Sequence, residues 1–273
     1  MLNATEVDNN DVLKWFVRFL CFKIGWHYFL IYSIELQPLP AVLAMVAIIL
    51  PWLPRGIPTG VMLLFIFHAM AAVYSFPFTI NHHFFELFLL VLVLILYRCN
   101  KDEEASNELP DLILSFIRFS FLWVVFFAGV QKLVHGYYLN GEIFKIYLAQ
   151  PNDGLGLAVD RLLRLSGLSA GTTPRDILPE TSLDAQLPTQ ARQLFRFLGV
   201  AVVFGEIAVP VLVWLKPRIG RWLLLALTVS VAAVPQEFSF AVTALACVFT
   251  YFQVGYGALY WVLAMCHILA ALV

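Results

Sequence analysis

Long apolar stretches, which follow one another along most of the chain, are the feature that most limits the fold of this sequence. A helix needs about 20 apolar residues to cross the hydrocarbon core of a bilayer, and fewer where neighbouring protein covers its ends. The sequence therefore predicts an all-α fold, a polytopic transmembrane helical bundle of eight or nine spans in a single integral-membrane domain, 1–273. The candidate spans are 13–34, 39–53, 58–77, 82–98, 111–134, 194–215, 220–235, 238–254 and 257–273.

The composition supports a membrane protein and excludes other classes. Of the 273 residues, 61% are hydrophobic and 13% are charged, unlike an ordinary globular domain. The formal net charge is −1 and no basic–aromatic recognition motif is present, so no nucleic-acid partner is expected. The four cysteines stand alone, without the spacing of a redox pair or a zinc site. Membrane lipids are the expected surroundings of the chain.

The basic residues of the short loops predict the orientation of the chain. If the spans alternate, these residues fall on one side, which the positive-inside rule assigns to the cytoplasm together with the N-terminus. The acidic loop 100–110 is then cytoplasmic, and the long loop 151–192 is extracytoplasmic. The basic residues concerned are Arg55, Arg98, Lys101, Lys216, Arg218 and Arg221.

Lys132 and His135 stand where the fifth candidate span meets a turn that two glycines bracket, in the segment FFAGVQKLVHGYYLNGEI at 126–143. A charged group at the edge of the hydrocarbon either extends to the lipid headgroups or faces a cavity lined by protein. Lys132 alone fits both interpretations. Its role therefore depends on the other polar residues predicted on the same face.

The start of the fourth candidate span carries a second polar group, Asn81-His82-His83 followed by Glu86. His82 and Glu86 are four residues apart, so on a helix they share one face, and the carboxylate can orient the imidazole. Histidines are also stable at a membrane interface because they are half hydrated there. His82, His83 and Glu86 have the chemistry of metal ligands, but no further ligand stands at a recognisable spacing, so no metal is expected.

Charged residues inside other spans are predicted to be structural. Lys14, Arg18 and Lys23 lie within one broad face of the first span, which predicts a helix that is partly in the interface. Arg118 and Glu206 interrupt apolar spans, where an unpaired charge is costly, so each is expected to find a partner within the bundle. A pair between Arg118 and Glu206 is one such arrangement.

Two of these segments resemble a known family. Asn81-His82-His83-Phe84 at the start of one span, and Ala128-Gly129-Val130-Gln131-Lys132-Leu133 at the end of the next, resemble the membrane domain of vitamin K-dependent γ-glutamyl carboxylase and its bacterial HTTM relatives. In that family an Asn-His pair is followed by AGxxKL and then a glycine. The similarity extends to Gly205-Glu206 and to an Arg-Gly turn at 217–220, but only the first two segments are specific.

The resemblance implies an enzyme with a reduced quinone, of the vitamin K hydroquinone type, as its cofactor or substrate. In the family the AGxxKL lysine, here Lys132, is the base that deprotonates the quinol, and the Asn-His histidine, here His82, assists the later steps. Oxygen then gives an epoxide and a strong base, which drives carboxylation, a lyase reaction. Asn81, Glu86 and His135 are expected to bind the lipophilic substrate. An apolar helix end favours the neutral amine that such a base needs.

Two features differ from the family pattern and keep a second interpretation open. The segment 228–231 lacks the family's histidine, and the sequence ends soon after its last apolar stretch, without the β-rich domain that the carboxylase uses with its protein substrates. Quinol chemistry is therefore expected, while carboxylation and a protein partner at the extracytoplasmic face stay open. The alternative is a non-catalytic membrane protein with an immunity, assembly or small-solute carrier role. A pocket shared by Lys132 and His82 would favour the enzyme.

Overall fold

The computed structural model describes residues 8–53, 55–74, 81–99, 108–141, 189–232, 238–253 and 257–271. Helices are the only regular structure in these ranges, which confirms the predicted all-α class for this part of the chain. The helices are α1 Asn9–Ile34, α2 Pro38–Ile49, α3 Ile57–Tyr74, α4 Asn81–Cys99, α5 Leu109–His135, α6 Thr189–Leu215, α7 Pro217–Ala232, α8 Phe238–Tyr251 and α9 Gly257–Ala271, with a short 3-10 helix at Leu50–Trp52.

Each of the nine predicted apolar stretches overlaps one of these helices. Two of them, α5 and α6, are 27 residues long and apolar enough to cross a membrane. Five others are apolar over only 10–17 residues. Length and composition thus indicate two candidate spans among the described residues, and the count of eight or nine stays a prediction.

Several helix ends follow from the local sequence. The side chain of Asp8 accepts a hydrogen bond of 2.9 Å from the backbone nitrogen of Asn10, which satisfies an amide that the first turn of α1 leaves without a helical partner. The first residues of α2 and α7 are Pro38 and Pro217, and a proline is tolerated there because its missing N–H has no role in the first turn. The sequence thus sets these starts without tertiary contacts.

The chain divides into two compact units. Unit 1 contains Met1–Phe121 and Val242–Val273, and unit 2 contains Leu122–Ala241. The single domain predicted over 1–273 stays a prediction. Most of the two predicted loops, 100–110 and 151–192, lies outside the described residues.

Unit 1 is built around α1, which packs against α2, α3 and α9. Its buried residues recur every three or four positions, as on the core-facing side of an amphipathic helix. Helices α1 and α9 run in the same direction, because Phe19 lies against Tyr260 while Lys23, further along α1, lies against His267, further along α9.

Helix α4 runs in the opposite direction to α1. Lys23 contacts Glu86, whereas His27, one turn later on α1, lies beside His83, one turn earlier on α4. The middle of α1 therefore meets the first turns of α4. This arrangement brings polar residues from several helices of unit 1 into one buried region.

Candidate functional site

Lys132, near the end of α5, and Glu206, in α6, form an ion pair through Nζ and Oε1. The side chain of Glu206 is 7% exposed and that of Lys132 is 25% exposed, so the carboxylate is buried while part of the lysine side chain stays accessible. Each charge compensates the other where an unpaired charge would be costly. The residue predicted to be the catalytic base thus contacts one of the two residues predicted to be structural.

Gly129 allows α5 and α6 to approach closely enough for this pair. A Cβ atom at Gly129 would lie 2.8 Å from Cγ1 of Ile207 and 2.9 Å from Cβ of Glu206, which is closer than packed carbon atoms come. Gly129 is three residues before Lys132, so the two share a face of α5. The AGxxKL segment therefore places a close helix contact next to a paired lysine.

The turn after α5 brings an aromatic ring to Lys132. Gly136 and Gly141 bracket this turn, and both have a φ of +72°, which glycine adopts without strain. Between them, the ring centroid of Tyr138 lies 4.9 Å from Nζ of Lys132, within the range of a cation–π contact. His135 is exposed at the end of the helix. Lys132 is thus held by a carboxylate and by an aromatic ring.

The other half of the predicted catalytic pair lies at the first turn of α4. Helix α4 begins at Asn81, but the side chains of Asn81 and His82 lie outside the described residues. His82 belongs to unit 1 and Lys132 to unit 2. A pocket shared by the two therefore stays a prediction.

A second ion pair, which the sequence did not predict, lies in unit 1. Lys23 contacts Oε1 of Glu86, and the hydroxyl of Thr243 on α8 donates a hydrogen bond of 3.0 Å to the same oxygen. Lys23 and Glu86 are each only 2% exposed. Because α4 and its neighbours cover this part of α1, Lys23 faces protein, while a partly interfacial position of α1 stays a prediction.

His68 of α3 joins this second pair. Its Nδ1 accepts a hydrogen bond of 2.7 Å from the hydroxyl of Tyr28, and its Nε2 donates one of 2.9 Å to the carbonyl oxygen of His83. Nε2 of His68 and Nδ1 of His83 lie 3.7 Å and 3.9 Å from Oε2 of Glu86. Sequence reasoning did not select His68, although a single histidine inside the apolar run MLLFIFHAM was a usable signal.

Two further histidines adjoin the same region. The ring centroid of His27 lies 5.9 Å from that of His83, and His267 of α9 lies against the backbone of Lys23. Imidazoles beside a buried carboxylate can move protons or bind a metal ion. We call the whole set the buried polar cluster; its members are Lys23, His27, Tyr28, His68, His83, Glu86, Thr243 and His267.

Arg118, predicted to be structural, has described contacts within unit 1. Its Nη2 donates a hydrogen bond to the carbonyl oxygen of Thr250, and its guanidinium lies 5.8 Å from the ring centroid of Tyr251. The hydroxyl of Tyr251 donates in turn to the carbonyl oxygen of Arg118 at 2.6 Å. These contacts join α5 to α8. A pair between Arg118 and Glu206 stays a prediction.

Comparisons with known proteins give no family for this chain, because no family model, curated protein or solved structure matches it.

Proposed function

We propose that this chain is a multi-span membrane enzyme that acts on a lipophilic, quinol-like substrate, and that the Lys132–Glu206 pair handles the substrate's proton. The observation that carries the proposal is the pair itself, a partly exposed lysine near the end of an apolar helix beside a buried carboxylate. Ionisable residues within membrane helices are rare and commonly functional. The resemblance of the AGxxKL segment to the carboxylase family supports the same lysine.

The ion pair suggests different roles for its two members. Nζ of Lys132 contacts Oε1 of Glu206, and in our proposal the carboxylate is the member that accepts the proton. In the proposed step the O–H bond of the quinol breaks, its proton moves to the carboxylate of Glu206, and the ammonium of Lys132 stabilises the resulting phenolate. This modifies the role that the resemblance implies, in which the lysine itself is the base.

The resemblance supplies the remaining parts of the proposal. It makes His82 the residue that assists after deprotonation, and Asn81 and His135 stay the residues expected to bind the substrate. It also implies that the phenolate goes on to react with oxygen to give an epoxide, with carboxylation as a further reaction. Glu86 fits this set less well, because its carboxylate already contacts Lys23 and Thr243 inside unit 1.

The membrane setting is supported by the apolar surfaces of the long helices. Four large aromatic residues of α5 are exposed at spacings of three or four, so they form one stripe along the helix. A continuous exposed apolar stripe is stable against lipid but not against water. The stripe consists of Phe116, Phe119, Trp123 and Phe127.

The orientation follows from the basic loop residues. With these residues in the cytoplasm, the N-terminus is cytoplasmic and the site lies near the extracytoplasmic face.

Turnover by the purified protein in lipid nanodiscs tests the proposal. With vitamin K hydroquinone and oxygen, the wild-type protein is expected to form the epoxide, which mass spectrometry detects. Glu206→Gln removes the general base and Lys132→Ala removes the charge that stabilises the phenolate, so each should lower the rate at least about 100-fold. Lys216→Ala, at an exposed lysine after α6, is the control and should keep the wild-type rate. Absence of epoxide with folded wild-type protein contradicts the quinol substrate, and full rates in both site variants contradict the site.

A non-catalytic membrane role is the second candidate, and the close packing at Gly129 favours it. In that role the Lys132–Glu206 pair only holds α5 to α6. Replacing both residues by apolar ones, as in Lys132→Met with Glu206→Leu, should then restore the stability that each single change removes. A double variant that melts like the wild type but has lost turnover supports the enzyme. One that melts and functions like the wild type supports the structural role.

A further inference from the structure

The buried polar cluster contains three groups that can bind one metal ion. Among the described residues, His68, His83 and Glu86 each offer one ligand atom, and these atoms lie within 4.8 Å of one another. His83 and Glu86 are three residues apart on α4 and share a face, whereas His68 comes from α3. Imidazole nitrogen together with carboxylate oxygen suits zinc and divalent iron.

The distances between these groups are close to those around a bound ion. Nε2 of His68 and Nδ1 of His83 lie 3.7 Å and 3.9 Å from the same oxygen, Oε2 of Glu86. Ligand atoms that each bind a metal at about 2.0–2.2 Å are roughly 3–3.5 Å apart. Each imidazole would have to approach the carboxylate by less than about 1 Å, and the three ligand atoms, which lie within 4.8 Å of one another, would have to close together by up to about 1–2 Å.

Tyr28 provides the outer contact that a metal-binding histidine needs. Its hydroxyl is hydrogen-bonded to Nδ1 of His68 at 2.7 Å. Metal-binding histidines almost always form a hydrogen bond through their second nitrogen, which fixes the orientation of the ring. If Nε2 of His68 binds an ion, it gives up its bond to the carbonyl oxygen of His83, and Nδ1 then donates to Tyr28.

Lys23 limits the strength of such a site without occupying it. Its ammonium and the hydroxyl of Thr243 contact Oε1 of Glu86, whereas both imidazole nitrogens face Oε2. One carboxylate can therefore contact the lysine and a metal ion at the same time. Repulsion between the ammonium and the ion lowers the affinity for metal.

We propose that His68, His83 and Glu86 bind one divalent transition-metal ion. Three protein ligands leave a coordination position open, as in catalytic rather than structural zinc sites, and two histidines with one carboxylate also form the ligand set of non-haem iron. The sequence led us to expect no metal, because it showed no further ligand near His83 and Glu86. His68 is that ligand. The proposal does not depend on the quinol function.

Binding of zinc alone tests the site. Metal-free protein in detergent is titrated with Zn²⁺, and the bound metal is counted after gel filtration; one ion per chain is expected at this site. Co²⁺ in the same protein should give the visible absorption of a low-symmetry site with nitrogen ligands. Folded wild-type protein that binds neither ion overturns the proposal.

Single variants place the ion within the cluster. His83→Ala should abolish zinc binding in protein that circular dichroism shows to be folded, while His135→Ala, at an exposed histidine outside the cluster, is the control and should bind zinc like the wild type. Tyr28→Phe should weaken binding about 10–100-fold, as loss of an outer hydrogen bond does, whereas Tyr32→Phe, one turn further along α1, should not. Lys23→Met should bind zinc more tightly than the wild type. Wild-type affinity in both His83→Ala and Tyr28→Phe, or weaker binding in Lys23→Met, overturns the proposed arrangement.

Discussion

Two lysines of α1 show how burial changes the contribution of one residue type. Lys23 contacts the buried carboxylate of Glu86, whereas Lys14 is 40% exposed and lies 3.4 Å from Asp11 at the surface. Lys23→Ala should lower the free energy of unfolding by about 3–5 kcal/mol, because it leaves a carboxylate buried and unpaired. Lys14→Ala should change it by less than about 1 kcal/mol, since exposed pairs contribute little. Denaturant titration in detergent measures both, and an equal loss in the two variants would contradict the burial of Lys23.

The residues of the buried polar cluster were only partly predictable from the sequence. Glu86 stood out because it follows two histidines at helical spacing, and the structure places it among histidines. The burial of Lys23 could not be predicted because it depends on α4, a helix that begins nearly 60 residues later in the chain. His68 gave only a weak signal because a single histidine among apolar residues has no local partner. Contacts between distant helices, which no local pattern contains, decide all three positions.

At the level of helices, Gly129 and Gly205 offer a matched pair of positions in unit 2. A Cβ at Gly129 would come within 2.9 Å of α6 atoms, whereas at Gly205 the nearest atom, on Leu227, is 3.7 Å away. Gly129→Ala should therefore push α5 from α6, weaken the Lys132–Glu206 contact and lower the melting temperature. Gly205→Ala should leave it unchanged or raise it, because alanine favours a helix by up to about 1 kcal/mol over glycine. Thermal unfolding in detergent, followed by circular dichroism, measures the melting temperatures of both variants.

A melting temperature that falls more for Gly205→Ala than for Gly129→Ala would contradict the close contact between α5 and α6.

The AGxxKL segment drew attention to Lys132 by its resemblance to a family, but the resemblance did not explain why a glycine stands three residues earlier. The physical reason is steric, since a side chain at Gly129 would occupy the space of Ile207 and Glu206. The motif could therefore be found in the sequence, while its packing role needed the partner helix.

At the level of the whole molecule, the sequence predicted where helices form better than what they contact. Every predicted apolar stretch overlaps a helix, because length, apolar character and flanking prolines are local properties. The pairing of Lys132 with Glu206 joins residues 74 positions apart, and such a contact depends on how α5 and α6 pack. The sequence marked both residues as costly to bury but did not identify them as partners.

The directions of three helices in unit 1 bear on the predicted topology. Helix α4 runs opposite to α1 and α9 runs with it, which is the pattern expected if the fourth and ninth of nine alternating spans cross the membrane. A re-entrant second stretch, by contrast, would make α4 the third span and parallel to α1. The expectation stays nine or eight spans, and the basic residues of the short loops predict a cytoplasmic N-terminus and an extracytoplasmic loop at 151–192. In a variant whose native cysteines are replaced by serine, Asp160→Cys should react with a membrane-impermeant maleimide added outside intact cells, and reaction only after the cytoplasmic face is opened would contradict this orientation.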